Sequence, residues 1–314
     1  MGRTKSKMKG DKAELIFYIS LIALPLLQVI IFYFYVNFNS ILLAFKDYDG
    51  EGGLVYNKGN LFYNFVRFWE ELTADGAKSL LLAILKNSVL VWFFTAIVGT
   101  FLSVLFSYYI FKKWFLAKTF KFFLFLPSVL PSILLVFVFE TFVNQVIPTF
   151  ASEVLNKQVE ALLIGKNKIP TYIFYNVWVG FGAQLLIYTG AMAQISPETL
   201  EAGKVDGVNS FREFFSIVVP MILPTISTFM IANLATIFTN QANLFAFYGN
   251  TGSEGKLRLK EGTMGYYLFD LITKPGTKIE RYPYASALGI ICTLIAFPLT
   301  MGLRKLLNKG AEDL

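Results

Sequence analysis

The sequence predicts an all-α integral membrane protein with six transmembrane helices, and three observations carry that reading. Of its 314 residues, 55% are hydrophobic and 17% aromatic, yet only 16% are charged; a soluble domain has about 25% charged residues. Residues 15–45, 87–111, 122–139, 169–197, 214–253 and 282–303 are runs without Asp, Glu, Lys or Arg. Each holds roughly the 20 apolar residues needed to cross about 30 Å of hydrocarbon at about 1.5 Å per residue. Lipid cannot satisfy free backbone groups, so such runs have to be helical.

The chain reads as a single transmembrane domain, 1–314, with spans at about 15–36, 87–111, 122–143, 171–193, 222–246 and 282–303. Arg3, Lys5, Lys7, Lys9 and Lys12 precede the first span, as in a signal peptide. The run is too long for an h-region, and no small-residue cleavage site follows Val36, so it stays a transmembrane helix. Loop 37–86 mixes charges with aromatics (Asp47, Tyr48, Asp49, Glu51, Phe68, Trp69, Glu70, Glu71) around a turn cluster at Gly50, Gly52 and Gly53. It reads as short surface structure. Lys112, Lys113, Lys118 and Lys121 mark the turn between the second and third spans. Glu140 falls at the outer end of the third span, either a snorkelling acid or a contact to a protein outside. After loop 144–170 and the fourth span comes loop 194–221. Within loop 247–281, the Gly-rich, charged stretch 249–262 reads as a solvated loop, since no helix start follows it at phosphate-binding spacing. No internal repeat is visible.

Six spans put both termini on one side. Lys and Arg then divide 14 and 14 between the two sides. Density breaks the tie, because charge rules weight short loops and helix ends. The basic N-terminus and the turn 111–121 place both termini and loop 194–221 in the cytoplasm. Loops 37–86, 144–170 and 247–281 then lie outside, although 247–283 carries six Lys or Arg against the rule. The net charge of +7 is thus a matter of topology. Basic residues scattered over both faces exclude a nucleic-acid partner.

Absences narrow the chemistry. Without histidine the chain lacks the commonest general base and metal ligand. Its lone cysteine, Cys292, is a small hydrophobe of the last span and can form neither a disulfide framework nor a thiolate metal site. Gly255-Lys256 is followed by Leu257, and Gly165-Lys166 by Asn167, so there is no P-loop. No catalytic residue, no metal site and no nucleotide on this chain are predicted.

The most informative stretch is 195–224, ISPETLEAGKVDGVNSFREFFSIVVPMILP. Ser196, Pro197 and Glu198 open a helix with a hydroxyl cap, a ring fixed at helical φ and an acid in the first turn. That helix runs to about Val205, because Asp206-Gly207 is a turn pair. Ser210 and Glu213, three apart as in a capping box, start a second helix that leads to Pro220 and Pro224. Ala202 and Gly203 leave a bare face open to close approach, and Glu201 offers a carboxylate to a cationic partner. A short, rigid, small-faced knob of this kind suits docking into another subunit.

This pattern resembles the EAA loop of the membrane subunits of ABC importers. Glu201, Ala202, Asp206, Gly207, Phe214, Ile217 and Pro220 fall in register with it. Gly203 and Val208 stand where alanines are usual, which bears on the fit to a partner. Further stretches are similar to the sugar-permease branch, the group around the maltose-system and glycerol-phosphate-system permeases. They are VNFNSILLAFKDYD (36–49), LPSVLPSILLVFVFETFVN (126–144) and the outer loop and last helix within 261–303. Phe139-Glu140 departs from that branch, which often has Trp and a basic residue. The resemblance covers nearly the whole chain.

It implies a type I ABC importer permease fold in a prokaryotic cytoplasmic membrane. Two similar permease chains, usually a heterodimer, would form a pathway open alternately to either side. Each EAA loop would sit in a cleft of one subunit of an ATPase dimer, which binds ATP and magnesium. Outside, an extracytoplasmic substrate-binding protein would deliver a carbohydrate, above all an oligosaccharide. Glu201, Ala202, Gly203, Asp206, Gly207, Phe214, Ile217 and Pro220 would carry the coupling. Another polar solute (a polyol phosphate, peptide or amino acid) is the neighbouring reading. A membrane-embedded enzyme on lipid-linked sugars or a self-sufficient channel is the alternative from another class.

Polar groups inside spans are costly and face a cavity or a partner. Asn233, Thr236, Asn240 and Asn243 lie at i, i+3, i+7 and i+10, one face of the fifth helix. Asn176, Gly180, Gln184 and Tyr188 lie four apart along the fourth, with Tyr248, Phe245 and Trp178 as aromatics nearby. Amides, hydroxyls and rings suit a sugar site. They equally suit hydrogen bonding between helices.

Overall fold

The computed structural model describes residues 2–51, 53–57, 59–73, 75–249, 259–273 and 279–312. Gly52 of the expected turn cluster and residues 250–258 of the expected solvated loop lie outside them. The chain forms two compact units, residues 1–68 with 278–290 and residues 69–277 with 291–314.

In the first unit a helix starting at Gly2 continues to Leu43; its apolar part, Glu14–Leu43, is α1. The most apolar stretch of α1 has no buried residue, the pattern of a helix whose neighbours are lipid or another chain. It runs past residue 36, and its polar side chains there turn back onto the helix. Asn37 Nδ2 donates to the Tyr33 carbonyl, and Ser40 Oγ donates to the Val36 carbonyl at 3.0 Å. The expected surface structure is a hairpin, Lys46–Tyr48 antiparallel to Leu54–Tyr56 with Asp47 opposite Val55. Helix α2, Tyr63–Thr73, follows. Asn64 pins α2 to the hairpin, its Nδ2 donating to the Ala44 and Lys46 carbonyls at 3.0 and 2.8 Å.

The second unit begins with α3, apolar over Leu80–Phe111, then α4 (Ala117–Val129), α5 (Ser132–Glu153) and α6 (Lys168–Met192). Next come α7 (Pro197–Val205), α8 (Ser210–Met221), α9 (Leu223–Ala235), α10 (Leu244–Tyr248) and α11 (Met264–Thr273). Helix α12, Arg281–Glu312, belongs to this unit from residue 291. Helix α6 is the axis. Val91, Leu135, Phe139, Phe247 and Tyr266 pack around its first half, and Val104, Tyr108, Phe214, Val218 and Ile226 around its second.

Three breaks correct the expectation of one helix per apolar run. Leu130 is extended (ψ 144°), as the ring of Pro131 requires of its neighbour. The third run is therefore split into α4 and α5, and α5 carries on past 143 to Glu153, which leaves Glu140 within a helix rather than at its end. Pro148 does not stop α5. The turn before it, 142–146, is π-helical, with the Ile147 amide bonded to the Phe142 carbonyl, and this wider turn makes room for the ring. The same device, from the Val219 amide to the Phe214 carbonyl, precedes Pro220.

The second break is at Ile222, where α8 and α9 meet at 68°. The third ends α9 at Ala235. Residues 236–243 form a turn with Ala242 and Asn243 at φ 52° and 56°. Asn233, Thr236, Asn240 and Asn243 therefore do not share one helix face. Their own side chains compete with the helical ladder: Thr236 Oγ1 donates to the Asn233 carbonyl at 3.0 Å, and Asn240 Oδ1 accepts the Ala242 amide at 2.8 Å.

Among the described residues four helices, α1, α3, α5 and α12, are long and apolar enough to cross a membrane, and the bent pair α8–α9 makes a fifth if counted as one span. Helix α6 has 25 residues but is less apolar, with Asn176 and Gln184 along it. Both amides are half-buried in the unit.

Asn176 fastens the third break to α6. Its Nδ2 donates to the Tyr172 and Ala242 carbonyls at 2.7 and 2.9 Å, and its Oδ1 accepts Asn243 Nδ2 at 2.8 Å. Replacing Asn176→Leu strands the Ala242 carbonyl and the Asn243 amide, at a cost of about 2 kcal/mol. A thermal unfolding midpoint in detergent lowered by several degrees is expected; an unchanged midpoint would refute the clasp.

Candidate functional site

The loop 194–221 is built from its caps upward. Ser196 Oγ accepts the Thr199 amide at 3.3 Å, and Pro197 with Glu198 fills the first turn of α7, as the sequence suggests. Gly207 reverses the chain at φ +75°, its amide donating to the Lys204 carbonyl at 3.1 Å. Only glycine holds such a φ without strain.

The start of α8 differs from the expected capping box. Asn209, one residue earlier than expected, is the cap, its Oδ1 accepting the Arg212 amide at 2.9 Å. Glu213 cannot reach back, because its carboxylate turns inward to Lys112 Nζ, 2.8 and 3.0 Å away. A basic residue at the end of α3 outbids the backbone for that carboxylate.

The bare face of α7 also serves differently than expected. Gly203 is buried, and a Cβ there would lie 2.8 Å from Ile217 Cδ1 of α8. Its smallness lets the two helices of the loop close on each other. Phe214 is buried, its ring 5.0 Å from that of Tyr108 on α3, while Ile217 and Pro220 are half-buried. Glu201, Ala202 and Asp206 face outward, and Val205, 88% exposed, stands among them. The loop is thus a wedge with a glycine-closed inside and an outer face of two acids, one small residue and one apolar tip. Val205 was legible as the apolar position one turn beyond Glu201.

A second site lies between α3 and α9. Ser88, Val91, Trp92, Thr95, Asn233, Thr236, Ile237, Asn240 and Thr263 line a cleft whose cavity volume, about 10 Å³, is water-sized. The turn 236–243 does what a helical stripe was expected to do, bringing Asn233, Thr236 and Asn240 to one place. Ser88, Trp92 and Thr95 complete it from α3. Their spacing of i, i+4 and i+7 was a readable signal for one helix face. The Trp92 Nε1 is buried without a hydrogen-bond partner.

The other expected path residues sit elsewhere. Asn243 is held by Asn176. Tyr188 is fully buried against Phe229, ring centroids 5.6 Å apart. Tyr248 is buried in the cluster around the first half of α6, and Gln184 is half-buried on α6 away from the cleft. Beside the cleft, Asn87 Nδ2 donates to the Lys260 and Gly262 carbonyls at 3.0 and 3.1 Å, and Ser88 Oγ accepts the Met264 amide at 2.8 Å. Lys168 pairs with Glu261 at 3.0 Å. Burial and then the Asp270 carboxylate push the Tyr266 phenol up to about 12, so it stays protonated and donates to the Gly249 carbonyl. Cys292 is buried and free. Among the described residues, no group of three or more His, Cys, Asp or Glu could hold a metal ion.

Known proteins share this fold. The solved structure of a bacterial ABC transporter involved in import of the acidic polysaccharide alginate matches with a TM-score of 0.76 at 18% identity, over 97% of this chain and 99% of that one. A second alginate transporter structure, in complex with an alginate pentasaccharide-bound periplasmic protein, matches with a TM-score of 0.73 at 19% identity, over 94% of each chain. These likenesses establish the fold.

Among curated relatives, the multiple sugar-binding transport system permease protein MsmF of Streptococcus mutans is 27% identical over 188 residues, 59% of this chain and 58% of that protein. The polygalacturonan/rhamnogalacturonan transport system permease protein YteP of Bacillus subtilis is 24% identical over 94% of this chain and 89% of its own length. The maltose/maltodextrin transport system permease protein MalF of Escherichia coli K12 is 25% identical over 61% of this chain. The chain thus spans little more than half of MsmF and 44% of MalF. The family model described as binding-protein-dependent transport system inner membrane component matches residues 97–312, from the middle of α3 to the end of α12, and the chain belongs to that family.

Proposed function

We propose that this chain is a permease subunit of an ATP-driven importer of a carbohydrate, an oligosaccharide above all. It would form half of the translocation pathway and take its drive from a separate ATPase. The observation that carries this reading is the wedge of α7 and α8, closed inside by Gly203 and set at its angle by Gly207. In it Glu201, Ala202 and Val205 form the face that docks on the ATPase, with Asp206 closing α7. Phe214, Ile217 and Pro220 fix the wedge to the membrane part. Glu201 supplies the carboxylate for a cation on the ATPase, which holds ATP and magnesium.

Helices α1, α3, α5, α6, the segment 222–246 that holds α9 and the start of α10, and α12 then make six spans, with both termini and the wedge in the cytoplasm. The second half of the pathway is another permease chain, and a binding protein delivers substrate from outside. The relatives' names speak of multiple sugars, polygalacturonan and rhamnogalacturonan, and maltodextrin. The cleft agrees with them. Amides, hydroxyls and the Trp92 indole match sugar hydroxyls and apolar sugar faces, and among the described residues no Lys or Arg lines it for a polyol phosphate or an amino-acid carboxylate.

Transport would be a cycle of access. ATP-driven closure of the ATPase pair draws the two wedges together. Helices α8 and α9 carry that movement to Asn233 and Thr236, and the water-sized cleft widens towards the binding protein.

Gly207→Pro cannot hold φ +75° and loses the amide that bonds Lys204. ATP-coupled uptake of labelled oligosaccharide into vesicles is expected to vanish with membrane insertion normal, and normal uptake would sink the proposal. Gly203 separates inside from outside: Gly203→Ala meets only the mobile end of Ile217 and should retain most uptake. Gly203→Phe should pry α7 from α8 and abolish co-purification of the ATPase. Equal behaviour of the two variants would count against the wedge. For the cleft, Trp92→Ala and Asn233→Ala are each expected to lower sugar uptake at least tenfold, with the ATPase still co-purifying; undiminished uptake in both would move the path elsewhere.

A further inference from the structure

The Lys112–Glu213 pair is more enclosed than a surface ion pair, with side-chain exposures of 17% and 4%. Lys112 Nζ lies 2.8 and 3.0 Å from the two carboxylate oxygens. The Tyr108 hydroxyl lies 3.0 Å from Glu213 Oε1 and 3.1 Å from the Ser210 carbonyl, sharing its one proton between them. Phe214 packs on the Tyr108 ring at 5.0 Å, and Trp114 lies edge-on to it at 5.8 Å. Lys112 stands at the C-terminal end of α3 and Glu213 in the first turn of α8, so each charge sits at the helix end whose dipole favours it. A charge left alone in such a place is far costlier than the pair, so the two ends do not part readily.

The position of the pair gives it a mechanical meaning. The cleft has two walls in this chain. One is Asn233 and Thr236, reached from the wedge along the backbone through the bend at Ile222. The other is Ser88, Trp92 and Thr95 on α3, with no backbone path to the wedge shorter than α4 to α7. Resting on the permease reading, we infer that Lys112 and Glu213, seated by Tyr108, are positioning residues that clamp α3 to α8. The clamp makes the wedge move both walls together.

The test uses the complex purified through this chain from its native membrane, with ATP and vanadate as the probe. Spin labels are placed by Ser216→Cys on α8 and Val89→Cys on α3, both exposed, in a Cys292→Ser background. The unmodified clamp is expected to give one narrow distance distribution, shifted by less than about 3 Å between the nucleotide-free and vanadate-trapped states. Glu213→Gln and Lys112→Met should at least double its width in the trapped state. The swap Lys112→Glu with Glu213→Lys should restore it, which a purely structural loss would not do.

A shift of several ångströms with the clamp intact would overturn the inference by itself, even if every variant failed to assemble. So would an unchanged width in the single variants, or a swap no better than they are. A complex that contains no ATPase would overturn the permease reading, and the clamp with it.

Discussion

A backbone amide in hydrocarbon has no water to bond, and the architecture of this chain follows from that constraint. Every long apolar run is helical, and each interruption brings its own replacement partners. At Leu130 the proline after the break has no amide to strand. At Pro148 and Pro220 the helix widens into a π turn and keeps its bonds. At 236–243 the asparagines and threonines supply the bonds that the helix gives up. The same constraint is met on α6, where the Asn176 amide finds its partners inside the unit, at Tyr172, Ala242 and Asn243.

The apolar runs were easy to read because absence of charge over 20 or so residues has one physical cause. Helix-by-helix geometry was less legible. A spacing of three, four and three reads as a helical stripe only if the helix continues. Whether Asn233 to Asn243 continue one depends on a competition between side-chain and backbone bonds that Asn176, distant in sequence, helps decide. Glu213 was misread for a similar reason. Its distance from Ser210 fits a capping box, but the sequence does not show that Lys112 approaches from the other side. Ser196, Pro197 and Gly207 were read correctly because their roles are local.

The wedge shows how one position can be read for the right family and for a different use. A small residue beside Glu201 suggests room for a partner. In the folded chain Gly203 faces Ile217, so the room is taken by the second helix of the same loop. What remains for a partner is the opposite side, Glu201, Ala202 and Val205, where the side chains are exposed without being bare. The glycine found where alanine is usual is then a matter of how tightly the loop closes on itself.

The bend at Ile222 sets a scale for how little motion this chain needs. Asn233 lies eleven residues beyond it in the sequence, about 16 Å along a helix axis. Turning α9 by about 10° about that corner carries Asn233 through about 3 Å, one hydrogen-bond length. A side chain moved so far exchanges one partner for another. Under the permease reading, a corner that flexes no more than many helix kinks do would be enough to switch the cleft between bonding itself and bonding something that enters it.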